Sequence, residues 1–162
     1  MTFQIFNHRV LAIVLMMMVS VSIQAQQPTQ TDMLNNVAKL KRIEAMQPDS
    51  IQPKYQLALQ SLSFAVTYPH DPQTENMIAE AEQSITKMEQ MKHADQSDIC
   101  TLRGFLYMVR IVQNPAQNGQ RYYILVMENF EKALKLNPDN QLAQQLQQKF
   151  FEGMKQQTDR TV

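Results

Sequence analysis

The chain has 162 residues, with 15 basic and 15 acidic side chains, a formal net charge of zero and a pI near 6.8. That length fits one domain able to bury a core without disulfide or metal staples, and the balanced charge offers no footprint for nucleic acid or anionic lipid. Three glycines and one cysteine exclude a Gly-rich phosphate cradle, an intramolecular disulfide framework and a cysteine zinc site.

Residues 1–25 read as a secretory signal peptide. His8 and Arg9 lie in a short n-region, and Val10–Ile23 is an apolar stretch broken only by Ser20 and Ser22. Ile23-Gln24-Ala25 then places a small residue at the cleavage position. A spanning helix needs about 20 apolar residues, so cleavage is expected and an uncleaved anchor is the alternative. With no cysteine after the apolar stretch, a lipid anchor is not expected. Export places the mature chain in the periplasm or outside a bacterial cell, an oxidising setting in which Cys100 must be buried or pair between chains. Residues 26–31 are polar and aperiodic and read as a flexible lead-in.

Six helical segments follow. Thr31 or Asp32 can cap the first, which runs to about Gln47 with Met33, Val37 and Leu40 on one face; Pro48-Asp49-Ser50 stops it. The second starts near Pro53 and ends at Thr67, with Leu57, Leu59, Leu62, Phe64 and Ala65 marking it as mostly buried. Asp71-Pro72 begins the third, which runs to about Lys92. Its apolar stripe is Ile78, Ala81, Ile85 and Met88, and its acidic outer face is Glu75, Glu82 and Glu89.

Ser97 or Asp98 caps the fourth helix, to about Gln113. It is apolar nearly all round and so belongs at the centre of the fold. Gly104 inside it costs roughly 1 kcal/mol against alanine, which predicts a close helix contact there. Asn114-Pro115 and Asn118-Gly119 predict a loop over residues 114–120. The fifth helix spans Arg121 to Asn137, and Pro138 follows it. The sixth runs from Gln141 to about Lys155, with Leu142, Leu146, Phe150 and Met154 as a narrow stripe on a glutamine-rich helix. The helical domain is therefore residues 32–155, and 156–162 form a frayed tail. Nothing alternates with period two for long, so the fold class is all-α.

The end of the first helix can be laid over the end of the fifth at an offset of 90 residues: Pro48 on Pro138, Leu40 on Phe130 and Ile43 on Ala133. Phe130-x-x-Ala133-Leu134-x-Leu136-x-Pro138 resembles the second half of a tetratricopeptide repeat, and Gly104 and Tyr107 resemble the glycine and aromatic of its first half. The segment from Arg103 to Ile111, with Asn114-Pro115 and Gly119-Gln120-Arg121-Tyr122, is similar to a group of secreted bacterial repeat proteins, loosely over residues 32–155. The resemblance implies a short α-solenoid of antiparallel helix pairs in which Gly104, Phe130, Ala133, Leu134 and Pro138 form the repeat core. It implies a scaffold that binds a protein or peptide, with no reaction and no cofactor. The family spaces its glycine 12 residues before the small residue of the second helix, whereas Gly104 to Val126 is 22. Residues 114–120 are thus expected as an insertion. Because 90 is no multiple of the family's 34-residue period, the repeats are expected to be irregular.

Candidates for chemistry are few. Cys100 with His93 has the residue types of a thiolate dyad, but a thiol inside an apolar helix has a raised pKa and is inert, so a core cysteine is expected. Met88, Met91 and His93 are soft ligands of the kind Cu(I) accepts, and methionines at this spacing also serve as packing. No catalytic, cofactor or metal site is assigned. Arg103, Tyr107 and Arg110 place two guanidiniums and a phenol on one face of the fourth helix. Either they hold a carboxylate of a partner, or Arg110 is an internal tie to Glu128, Glu131 or carbonyls of 114–120. Arg103, a turn nearer the helix start, is expected to reach solvent. A homo-oligomer formed through the terminal helices, the first being the more exposed, is the alternative to partner binding.

Overall fold

The computed structural model describes residues 28–159, so the expected signal peptide lies outside the described residues. Among the described residues there are six α-helices and no strand: α1 (Gln30–Met46), α2 (Ile51–Thr67), α3 (Thr74–Glu89), α4 (Gln96–Gln113), α5 (Pro115–Leu136) and α6 (Gln141–Asp159). None is long and apolar enough to cross a membrane.

The caps fall slightly upstream or downstream of the expected residues. Thr29, inside the expected lead-in, caps α1: it accepts from the Asp32 amide while the Asp32 carboxylate accepts from the Thr29 amide, a capping box that starts the helix at Gln30. Asp71 does not begin α3. Its carboxylate accepts from the Gln73 amide in a tight turn, and the helix starts at Thr74. Asp95, not Ser97 or Asp98, caps α4. That frees Ser97 to turn inward, where its hydroxyl donates to the Ala133 carbonyl of α5 at 2.9 Å.

The largest correction concerns residues 114–120, which are not a loop. A single residue, Asn114, separates α4 from α5; its side chain accepts from the Gln117 amide at 3.2 Å, and Pro115 in the first turn has no amide to satisfy. Gly119 has no positive φ, so nothing there enforces a turn. The long Gly104–Val126 spacing is an extra length of helix on α5 rather than an inserted loop.

Packing follows antiparallel neighbours. As α4 runs from Ser97 through Gly104 to Tyr107, its partners on α5 run from Ala133 through Phe130 to Tyr122. A Cβ built on Gly104 would lie 2.7 Å from the Phe130 ring, which is the close contact the glycine predicts. The most extensive contacts join α2 to α3 and α4 to α5, with α1 and α6 as single helices at either end. Even-numbered helices also touch one another, α2 against α4 and α4 against α6. They begin at residues 51, 96 and 141, at equal intervals of 45, so the 90-residue echo is two such intervals. This arrangement of helix pairs is compatible with a solenoid.

Burial follows the predicted stripes. Phe64, Leu57, Leu62, Ile78, Ile85, Leu102, Val109, Val126 and Phe130 have no exposure. Three charges are drawn into the junction of α1, α2 and α3. The Lys54 ammonium, its side chain 4 % exposed, donates to the Pro48 and Ser50 carbonyls at the α1–α2 turn and lies 3.5 Å from the Glu44 carboxylate. Lys87 of α3 binds the same carboxylate at 3.0 Å. Burial pushes the Glu44 carboxyl up, but Lys87 and Lys54 outweigh it and hold the group below the ordinary glutamate value. Lys41–Glu80 and Gln30–Asp71 add further ties on the same side, α1 and α3 running parallel.

Candidate functional site

The two arginines of α4 do not meet a vacant pocket. Arg103 forks onto Glu89 of α3, with Nε to Oε1 and Nη2 to Oε2 both at 2.9 Å, and Glu82 lies 4.0 Å from Nη1. Hydrogen bonding to Glu89 is the main cause that raises the Arg103 pKa. Arg110 Nη1 donates to both Glu75 oxygens, at 3.0 and 2.8 Å, and Gln113 donates to the same carboxylate. These donors, Arg110 first, lower the Glu75 pKa. Tyr107 turns to α5 and stacks on Tyr122, ring centroids 5.5 Å apart and 15° from coplanar.

The partner of Arg110 is therefore Glu75 of α3, not Glu128, Glu131 or a carbonyl of residues 114–120. The reason is register: Glu75, Glu82 and Glu89 repeat every seven residues along α3, as Arg103 and Arg110 do along the antiparallel α4. Arg103, expected to reach solvent, is the more enclosed of the two, with its side chain 20 % exposed against 28 %. Glu75 is 67 % exposed, so its pair with Arg110 is a surface ion pair. Arg110→Ala is expected to cost about 1 kcal/mol or less, and Arg103→Ala more than that; thermal melts of the two variants check the order.

Cys100 is 5 % exposed, packed against Ala133 and Ala143 with Leu134 beside them, and burial raises its thiol pKa. His93 lies exposed in the turn before α4. Met88 is a core side chain at 1 % exposure, and Met91 is half-buried. Of the other residues that the resemblance assigns to a repeat core, Phe130 and Ala133 are fully buried, Leu134 is half-buried, and Pro138 stays exposed in the α5–α6 turn. There Asn140 takes over: it accepts from the Ala143 amide at the start of α6 and donates to Ser97 and Asp98 of α4.

One feature with room for a ligand is missed by the residue-by-residue reading. Parallel helices α2, α4 and α6 form a groove of about 420 Å³, floored by Phe105 and Leu146 and walled by Leu59, Val66, Met108 and Leu142. It continues past Met108 and Lys149 into a smaller apolar recess of about 120 Å³ beside Val112 and Met154. Leu59, Val66, Met108, Val112, Leu142 and Met154 are all half-buried. Lys149 is the one charged side chain lining either space. On the opposite wall the hydroxyls of Ser63 and Thr67 donate to Leu59 and Ser63 carbonyls at 2.7 Å, so both face the groove as acceptors. An apolar floor with a few polar groups at its edges suits an amphipathic ligand and places no nucleophile against a base.

A wider cleft of about 620 Å³ separates α1 from α3, but the Lys41–Glu80 pair closes across it. Compared with protein families, curated proteins and solved structures, the chain matches none.

Proposed function

We propose that this chain is a non-enzymatic helical-repeat scaffold of the cell envelope that binds a protein or peptide segment along the α2–α4–α6 groove. The observation that carries this reading is the groove itself: three helices, spaced 45 residues apart in the chain, leave a row of half-buried apolar side chains along one concavity. Such side chains gain from burial by about 25 cal/mol per Å² of apolar surface covered. The resemblance of Gly104, Tyr107, Phe130 and Ala133 to a tetratricopeptide repeat supports the same reading, and the residues 1–25 pattern supports export.

Photo-crosslinking tests it. A photoreactive side chain at Met108 or at Leu142 is expected to give the same discrete adduct with envelope extract, and one at Lys39 on α1 none. Met108→Glu should abolish the adduct formed from Leu142 while leaving the helical circular dichroism spectrum unchanged. Equal labelling from all three positions, or none from the groove, overturns the proposal.

A further inference from the structure

We propose that the partner segment in the α2–α4–α6 groove is acidic, with one carboxylate side chain paired to Lys149 and a large apolar side chain on either side of it. This inference rests on the reading of the groove as a peptide site and names the chemistry of its occupant. Lys149 stands where the two spaces meet, lining both the wider groove and the recess beside Val112. It is exposed and makes no ion pair among the described residues. No acidic side chain lines either space, so nothing in the concavity offsets its charge. A carboxylate is therefore attracted there and a basic segment repelled.

The two spaces fix what flanks the carboxylate. Ile111, Val112, Pro115 and Phe150, all apolar, close in the recess. A dry cavity of about 150 Å³ holds one benzene molecule. The recess of about 120 Å³ therefore takes one side chain of leucine or isoleucine size. On the other side of Lys149, the Phe105–Leu146 floor takes a second. Along α6 the lining runs from Leu142 to Met154, and Lys149 lies within it rather than at an end. A C-terminal carboxylate at Lys149 would leave one of the two spaces empty, whereas a carboxylate inside a segment fills both.

The rim favours a peptide over an acyl chain. The Ser63 and Thr67 hydroxyls keep lone pairs with which to accept, and the Gln145 side chain makes no hydrogen bond among the described residues. A peptide backbone supplies amide donors and carbonyl acceptors to these groups. An acyl chain would cover them without a partner.

A library of random nonapeptides, each fused at both ends, is the test. It is selected on the purified protein and in parallel on Met108→Glu and Lys149→Glu. Peptides enriched on the parent but not on Met108→Glu should carry Asp or Glu between apolar residues. Lys149→Glu should select Lys or Arg at that place instead. In fluorescence anisotropy, Lys149→Gln should weaken an enriched acidic peptide by about tenfold, and Lys149→Glu by more. Changing the peptide's acidic residue to lysine should restore binding to Lys149→Glu. Lys149 is exposed, so both of its variants should keep the parent's circular dichroism spectrum. Groove-dependent peptides without an acidic preference, or equal binding by parent and Lys149→Gln, overturn this inference and leave the groove reading standing. Selection of no peptide that Met108→Glu abolishes overturns both. Dodecanoate bound more tightly than any enriched peptide would make the concavity an acyl-chain site and also overturn both.

Discussion

Phe130→Ala is expected to lower stability by about 3–5 kcal/mol, close to the whole stability of a small domain. The ring has no exposure, and it lies against the bare backbone of Gly104 on α4. Glycine has no side chain with which to fill the space left by the ring, so the cavity persists and the full cavity cost applies. The same contact predicts the effect of Gly104→Ala. Its methyl group would sit 2.7 Å from the ring and force α4 and α5 apart, costing about 1–3 kcal/mol. Placing both changes in one chain should cost less than their sum, because the new methyl then occupies part of the vacated space. Thermal melts of the three variants check this; a Phe130→Ala protein that melts like the parent would show that the ring does not hold the α4–α5 pair.

Glu44→Ala is expected to cost a similar amount, about 3–5 kcal/mol, for a different reason. The Lys54 ammonium is almost fully enclosed, and among the described residues Glu44 is the carboxylate it pairs with. Removing the carboxylate leaves a buried cation held by the Pro48 and Ser50 carbonyls alone. The pH dependence carries a sign that can be checked. The folded chain holds the Glu44 pKa below its ordinary value, so folding favours the ionised form. That contribution is complete above the ordinary glutamate pKa of about 4.3 and is lost as the pH falls through the lowered value. The parent protein should therefore lose stability more steeply than Glu44→Ala below about pH 4.3. Denaturant melts at pH 7 and in that acidic window measure both effects. Equal acid sensitivity of the two proteins would show that Glu44 is not the titrating group.

The amino-acid sequence by itself determined the helices. Proline turns at Pro48 and Pro138 and the 3.6-residue stripes are local properties, written within a single turn or a single helix. It determined that α4 is the central element, because a helix apolar nearly all round is covered on most sides only at the centre of the fold. It also placed Gly104, Phe130 and Ala133 in the core. Where it erred locally, at Asn114–Gln120, two short turn signals were outweighed by a side-chain cap and a first-turn proline.

Only the tertiary structure decided what each helix faces. Arg110 has acidic residues available on α5 in sequence, yet binds Glu75 on α3, because the choice depends on the rotation and register of packed helices rather than on spacing. Lys54, one of 15 basic residues, is unremarkable in sequence and becomes a buried charge only when α1, α2 and α3 converge. The groove is of the same kind. Leu59, Met108 and Leu142 lie on three helices whose starts are 45 residues apart, and each reads as an ordinary core position along its own helix. They line one cavity because alternate helices run parallel in a row, and a concavity between elements exists only once the elements are stacked.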